Sequence, residues 1–88
     1  MELDARWRLH PQVSVRPEPF GALLYHFGTR RLSFLKDRAL TDVVRRLDGA
    51  PTARDACRAA GLGDAVPAPV EQALATLART GMIEKVDP

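Results

Sequence analysis

Residues 21–35 constrain the fold more than any other stretch, because they predict a β-hairpin. Two runs of bulky residues flank a short segment, Gly28-Thr29-Arg30. Gly28 can adopt the positive φ that a tight turn requires, so we expect the chain to reverse direction there. A helical pattern begins at Asp37, directly after the second arm, Arg31 to Leu35. The chain therefore leaves the sheet at this arm.

The segment before the hairpin predicts the remaining strand. Residues 7–9 and 13–16 alternate apolar and polar side chains, as a half-buried strand does, and Pro11 interrupts them. If residues 13–16 pair with the first arm of the hairpin, residues 31–35 are left at the edge of the sheet. An edge strand offers unpaired N–H and C=O groups, so a protein must either protect it or use it.

Three helices and a tail follow. Asp37 caps the first helix, and Thr52 caps the second. Two prolines between residues 64 and 69 open the third helix, and Gly81 ends it. The element order predicts a single α+β domain of the winged-helix-turn-helix-like type over residues 1–88. It comprises a three-stranded antiparallel sheet (1–35), a part with three helices (36–81) and an extended tail (82–88) that folds back like a reduced wing.

The residue types argue against an enzyme. His10 and His26 lie in no metal-ligand spacing, and Cys57 lies on the inner stripe of an alanine-rich helix, where a structural thiol is favoured. There is no phosphate-binding loop and no cysteine cluster. We therefore expect no catalytic residues, no metal and no cofactor. One cysteine, no signal peptide and no long apolar run predict a cytoplasmic protein that does not contact membranes.

A winged-helix pattern suggests nucleic-acid binding as a function, but the third helix lacks the basic side chains that such binding requires. Its charged residues are Glu71 near the start and Arg79 at the end, whereas a helix that reads DNA carries several basic side chains. Basic residues outnumber acidic ones in residues 1–60, and acidic residues outnumber basic ones in residues 61–88. A nucleic-acid-binding winged helix therefore stays as the alternative function.

The favoured function is peptide binding by addition of a strand to the free edge, with the third helix as the opposite wall. Arg30 and Arg31 at the turn favour an acidic peptide. The candidate binding residues are Arg30, Arg31, Leu32, Ser33, Phe34 and Leu35 on the hairpin, and Val70, Leu74 and Leu77 on the helix.

Two alternatives stay open at this point. The edge arginines would serve only to prevent aggregation if the edge is protected, and Leu74 and Leu77 would then be ordinary core residues. A proline at Ser33 would abolish binding if the N–H of Ser33 faces the peptide, and would damage the fold if that N–H faces the neighbouring strand.

Two stretches resemble a known family. The first is WRLHPQVSVRPEPFGALLYHFGTRRLSFL, which resembles the start of the PqqD-like family, the RiPP recognition elements; the second is LATLARTGMIE, which resembles that family's closing helix and tail. Within the first stretch, RLHPQV, RPEPFGAL and the residues up to FLK carry most of the specificity. Among these domains the chain is most similar to the stand-alone mycofactocin peptide chaperones, and the similarity covers essentially all of it.

The resemblance implies a PqqD-like fold and a non-catalytic peptide chaperone. Such a chaperone binds the leader of a ribosomally made precursor peptide as an added strand, in the cleft between the third strand and the third helix. It delivers the leader to a radical SAM maturase in mycofactocin biosynthesis. Carried over by position, the resemblance implies that the strand is Arg31 to Leu35 and that the helix face is Val70, Ala73, Leu74 and Leu77. The acidic leader of the family's precursor agrees with the basic hairpin of this chain. We expect a monomer, although an exposed edge can also pair with a second copy.

Overall fold

The computed structural model describes residues 1–87, which form five strands, three α-helices and a short 3₁₀ turn at Leu47–Gly49. In chain order the elements are β1 (Trp7–Leu9), β2 (Val13–Glu18), β3 (Gly21–His26), β4 (Leu32–Leu35), α1 (Arg38–Arg46), α2 (Ala53–Ala59), α3 (Ala68–Arg79) and β5 (Ile83–Lys85).

The main sheet has three antiparallel strands in the order β2-β3-β4, which confirms the predicted α+β architecture. Gly21 begins β3 with φ of +150°, and a Cβ atom there would collide with the carbonyl oxygen of Leu35. Only glycine allows this close approach of the start of β3 to the end of β4. Gly21 therefore helps to set the position of β4, the edge strand.

Residues 7–9 and 13–16 were predicted to be parts of one interrupted strand, but β1 does not continue β2. β1 pairs with β5 in a separate two-stranded sheet, in which Trp7 lies opposite Lys85 and Leu9 opposite Ile83. A turn separates β1 from β2, and within it the N–H of Val13 donates to the carbonyl of His10 at 2.9 Å. The predicted tail therefore folds back as a strand, Ile83–Lys85, that pairs with β1. The last residue of the predicted tail, Pro88, lies outside the described residues.

A single hydrophobic core lies between the inner face of the main sheet and the helices. Leu24 and Leu35 contribute from the sheet, and Val43, Leu47 and Leu74 contribute from the helical part. α1 packs against both β3 and β4. No helix within residues 1–87 is both long enough and apolar enough to cross a membrane.

The hairpin turn differs from the prediction in one respect. Gly28 does not have a positive φ; Arg30 does, with φ of 63°. The N–H of Arg30 donates to the carbonyl of His26 at 2.7 Å, which closes the turn. A left-handed residue at the end of a short hairpin loop is a common solution, and its position depends on how the loop closes rather than on where the glycine lies.

Candidate functional site

β4 is an edge strand, as the sequence predicts. It pairs with β3 only, so one side of its backbone is free of strand pairing within residues 1–87. Phe34 is a residue type that favours extended structure, and the helix capped by Asp37 stops the strand shortly afterwards. The result is a short, accessible edge.

The hydrogen bonds beside β4 show which of its backbone groups are open. The N–H of His26 donates to the carbonyl of Arg31 at 3.0 Å, so these two residues form a hydrogen-bonded pair. Hydrogen-bonded pairs alternate along an antiparallel ladder, so the next ones are Leu24 with Ser33 and Ala22 with Leu35.

It follows that the N–H and C=O groups of Leu32 and Phe34 point away from β3, toward the free edge. The opposite side of β3 agrees with this alternation, because the N–H of Phe27 donates to the carbonyl of Gln12 at 2.8 Å, across the pairing with β2. The N–H of Ser33 faces β3. A proline at Ser33 would therefore damage the fold, which resolves the alternative left open above.

Side chains of β4 alternate between the two faces of the sheet. Leu35 is 2% exposed and lies in the core, and Ser33 is half-buried on the same face. On the outer face, Leu32 is 54% exposed and Phe34 is 58% exposed. The two residues with open backbone groups therefore also carry exposed apolar side chains.

Positive charge without a partner lies at the start of this edge. Arg30 and Arg31 are both exposed, and in the part of the chain that the structure describes neither forms an ion pair. Arg54 and Arg58, in contrast, pair with Asp4 and Asp64, which hold the pKa values of these guanidinium groups above their usual range. The charge at the turn is thus available to an acidic ligand.

The predicted helix residues lie in the core of the free protein. Leu74 is fully buried, Leu77 and Val70 are nearly so, and Ala73 is half-buried. They share one core with Leu35 of the edge strand. Their part in peptide binding stays a prediction, and among them Ala73 has the most accessible surface.

Two features of the site were missed from the sequence. His26 is only 4% exposed, and its Nδ1 accepts hydrogen bonds from the N–H groups of Gly28 (3.0 Å) and Thr29 (3.1 Å). It therefore organises the turn that carries the arginines. The exposure of Phe20 and Phe27 beside the edge was also missed. The sequence did contain a signal for an apolar outer face: Leu32 and Phe34 are two residues apart, so in a strand their side chains share one face.

The remaining chemistry is sparse. Among residues 1–87, no group of three or more His, Cys, Asp or Glu side chains is placed to hold a metal ion. Burial raises the pKa of the Cys57 thiol, which suits a structural role rather than a nucleophile. A cavity of about 760 Å³ is lined by residues 1–6, Arg54, Glu71 and residues 85–87, away from β4. Strand addition uses an edge and needs no such cavity.

Comparison with known proteins gives a consistent result. Residues 6–84 match the family described as the Peptide chaperone MftB family. The protein named Peptide chaperone MftB of Mycobacterium ulcerans is 61% identical over 80 residues, which cover 91% of this chain and 73% of that protein. Its namesake in Mycobacterium tuberculosis is 59% identical with the same coverage. The Mycolicibacterium smegmatis protein of that name is 55% identical over 85 residues, 97% of this chain and 83% of its own length.

No solved structure gives a significant match. The similarity to the three named chaperones extends over almost the whole chain and includes the hairpin, the edge strand and all three helices. On this ground the chain belongs to the Peptide chaperone MftB family, whose members are not enzymes.

Proposed function

We propose that this chain binds the acidic leader of a ribosomally made precursor peptide by strand addition to β4, and presents it to a radical SAM maturase in mycofactocin biosynthesis. Membership of a peptide chaperone family supports a peptide partner. The observation that carries the mode of binding is the open backbone of β4, where Leu32 and Phe34 direct their N–H and C=O groups away from β3.

Backbone hydrogen bonds and apolar contacts at β4 both contribute to the free energy of peptide binding. Each backbone hydrogen bond contributes about 1 kcal/mol net, so the open groups of Leu32 and Phe34 supply roughly 4 kcal/mol. Burial of a few apolar side chains adds to this, and ordering the peptide subtracts from it. A micromolar complex corresponds to about −8 kcal/mol, so the apolar contacts have to supply the remainder after the ordering cost. Exposed Arg30 and Arg31 add a long-range attraction for a leader rich in carboxylates, and this attraction weakens as salt rises.

The opposite wall of the site is the α3 face formed by Val70, Ala73, Leu74 and Leu77. Because Leu74 is fully buried, Leu74→Glu would place a carboxylate in the core and unfold the protein. Ala73→Glu is the better test, since Ala73 is half-buried and the helix tolerates glutamate. We expect Ala73→Glu to weaken leader binding while the protein stays folded. Unchanged affinity in this variant would count against the helix wall.

The first experiment is a titration of isotope-labelled protein with a synthetic acidic leader peptide, then with duplex DNA, at about 0.15 M salt to limit non-specific phosphate binding. We expect amide shifts at residues 31–35 and 70–78 with the peptide, and none with DNA. Saturable shifts along the helices with DNA, together with no response to the peptide, would support the nucleic-acid alternative and refute the proposal. Sedimentation velocity on the same sample checks the proposed monomer.

A pair of proline variants separates the backbone role of β4 from its structural role. Phe34→Pro removes an N–H that faces the free edge, so we expect a folded protein that no longer binds the leader. Ser33→Pro removes an N–H that faces Leu24 of β3, and we expect a loss of stability of about 1–3 kcal/mol, because the carbonyl of Leu24 is left without its partner. Adding each folded variant to a maturase assay on the precursor then tests presentation. Full modification of the precursor in the presence of Phe34→Pro would argue against presentation through β4.

A further inference from the structure

The outer face of the main sheet carries a continuous apolar strip that the core does not use. We define the outer strip as the side chains of Phe20, Leu23, Tyr25, Phe27, Leu32 and Phe34. Tyr25 lies opposite Leu32, and Leu23 lies opposite Phe34. The rings of Tyr25 and Phe27 meet edge to face at 4.9 Å, and those of Phe20 and Phe34 lie 6.2 Å apart. Four of these six side chains are exposed, and a contiguous exposed apolar patch of this kind is typical of an interaction surface.

Two independent properties coincide on Leu32 and Phe34. Their backbone groups face the free edge, and their side chains project from the outer strip. A strand added to β4 places its own residues beside these two, with side chains on the same face of the sheet. Because side chains alternate along a strand, the two neighbouring peptide residues are two positions apart whichever direction the peptide runs.

From this coincidence we infer that Leu32 and Phe34, the two residues of the outer strip that lie on β4, form a specificity surface, which selects a leader segment with two apolar side chains at positions i and i+2. This inference rests on the proposed function. The pair packs on Leu32 and Phe34 and extends the outer strip by one strand. The residue between them points to the inner face, beside Ser33, and does not contact the outer strip. An acidic residue beyond the pair, on the turn side, meets Arg30 and Arg31.

The strip fits this occupant better than it fits a second copy of the chain. Arg30 and Arg31 lie at one end of β4 without a carboxylate partner in residues 1–87. A second β4 aligned antiparallel to the first would cover the apolar side chains but would bring no carboxylate from its own strand, Leu32–Leu35, to these arginines. An acidic peptide with an apolar pair satisfies both the strip and the charge.

The test uses threonine variants, since threonine favours strands and keeps the backbone N–H. Binding of a fluorescently labelled synthetic acidic leader peptide is measured for Leu32→Thr, Phe34→Thr and the double variant. We expect the Kd to rise about fivefold for each single change and about 20-fold for the double change. Phe27→Thr is the matched control, because Phe27 is exposed on the same strip but lies outside β4; its Kd should not change.

A second set of peptides identifies the partner residues. Each apolar residue of the leader is replaced by threonine in turn and titrated against the wild type and Phe34→Thr. We expect two positions, two residues apart, at which the change weakens binding to the wild type; for the one beside Phe34, the loss should be much smaller against Phe34→Thr. Substituting the residue between them should show no such coupling.

The outcomes distinguish the inference from the function on which it rests. No binding of the leader to the wild type overturns both. Tight binding by the wild type with unchanged Kd in Leu32→Thr and Phe34→Thr leaves the proposed function standing and overturns the specificity surface. An equal effect of Phe27→Thr, or a change from dimer to monomer in the β4 variants by sedimentation velocity, also overturns it, because the strip would then serve a different occupant.

Discussion

At the scale of single residues, the hairpin turn depends on His26 and Arg30. An Nδ1 atom that accepts two backbone N–H groups must be unprotonated, so His26 fixes the turn as a hydrogen-bond acceptor. Its ring lies 4.4 Å from that of His10, which covers it from the neighbouring segment. Arg30 occupies the left-handed region, where a residue with a Cβ is strained by about 1–2 kcal/mol. The turn thus combines one stabilising and one unfavourable side chain.

Replacing Arg30 by glycine should relieve this strain. Part of the gain is lost to the larger entropy of the unfolded chain, so we expect Arg30→Gly to raise the free energy of unfolding by about 0.5–1 kcal/mol. Urea denaturation measures it. Arg31→Gly is the control, because Arg31 lacks a positive φ and should lose stability. A loss of stability in Arg30→Gly equal to that in Arg31→Gly would show that the strain is not significant.

At the scale of elements, α2 is held at its N-terminus by another segment of the chain as well as by its own cap. It has seven residues, too few to be stable alone. The N–H groups of Ala53 and Arg54 donate to the carbonyls of Ala5 and Leu3, at 3.0 and 2.9 Å. The hydroxyl of Thr52 accepts from the N–H of Asp55 at 3.0 Å, as the sequence predicts. Carbonyl groups from another segment and the hydroxyl of the local cap together accept hydrogen bonds from the N–H groups of the first turn.

Removing the cap should weaken the fold measurably. We expect Thr52→Ala to lower the free energy of unfolding by about 1 kcal/mol, because an N–H of the first turn loses its acceptor. Thr76→Ala serves as the comparison: Thr76 is exposed in α3 and its hydroxyl donates to the carbonyl of Gln72, four residues earlier in the same helix, so its change should stay within about 0.5 kcal/mol. Equal effects in the two variants would mean that the Thr52 cap contributes nothing specific.

At the scale of the whole molecule, β1 and β5 tie the two ends of the described chain to one core. Trp7 and Ile83 are both buried, and Cys57 lies in the same core with no exposed surface. Burial raises the pKa of the Cys57 thiol, so little reactive thiolate is present near neutral pH. Labelling of Cys57 therefore requires the core to open, and its rate reports global stability.

This dependence allows ligand binding to be detected through the core. With leader peptide at 100 times its Kd, mass action should slow the labelling of Cys57 about 100-fold. An exposed thiol, Ala59→Cys in a Cys57→Ala background, should label rapidly with or without peptide. If saturating peptide leaves Cys57 labelling unchanged, the thiol becomes accessible by local opening of α2, without separation of β4 from the core.

Much of the fold was predictable because it is encoded by short-range patterns. The caps at Asp37 and Thr52, the stop at Gly81 and the hairpin of residues 21–35 each depend on a few neighbouring residues. The free edge at β4 also followed from the order of the elements, since the chain passes from β4 directly into a helix. Amino-acid sequence alone was therefore sufficient for the fold class and for the edge position of β4.

Three features were decided only by the tertiary structure, because each depends on groups that are distant in sequence or on atomic geometry. β1 pairs with β5 rather than extending β2, since Trp7 and Ile83 are buried in a common core. Arg30 rather than Gly28 is left-handed, since His26 holds the N–H groups of the loop. Which residues of β4 face the free edge depends on the phase of the hydrogen bonds with β3, a phase that side-chain alternation alone does not give.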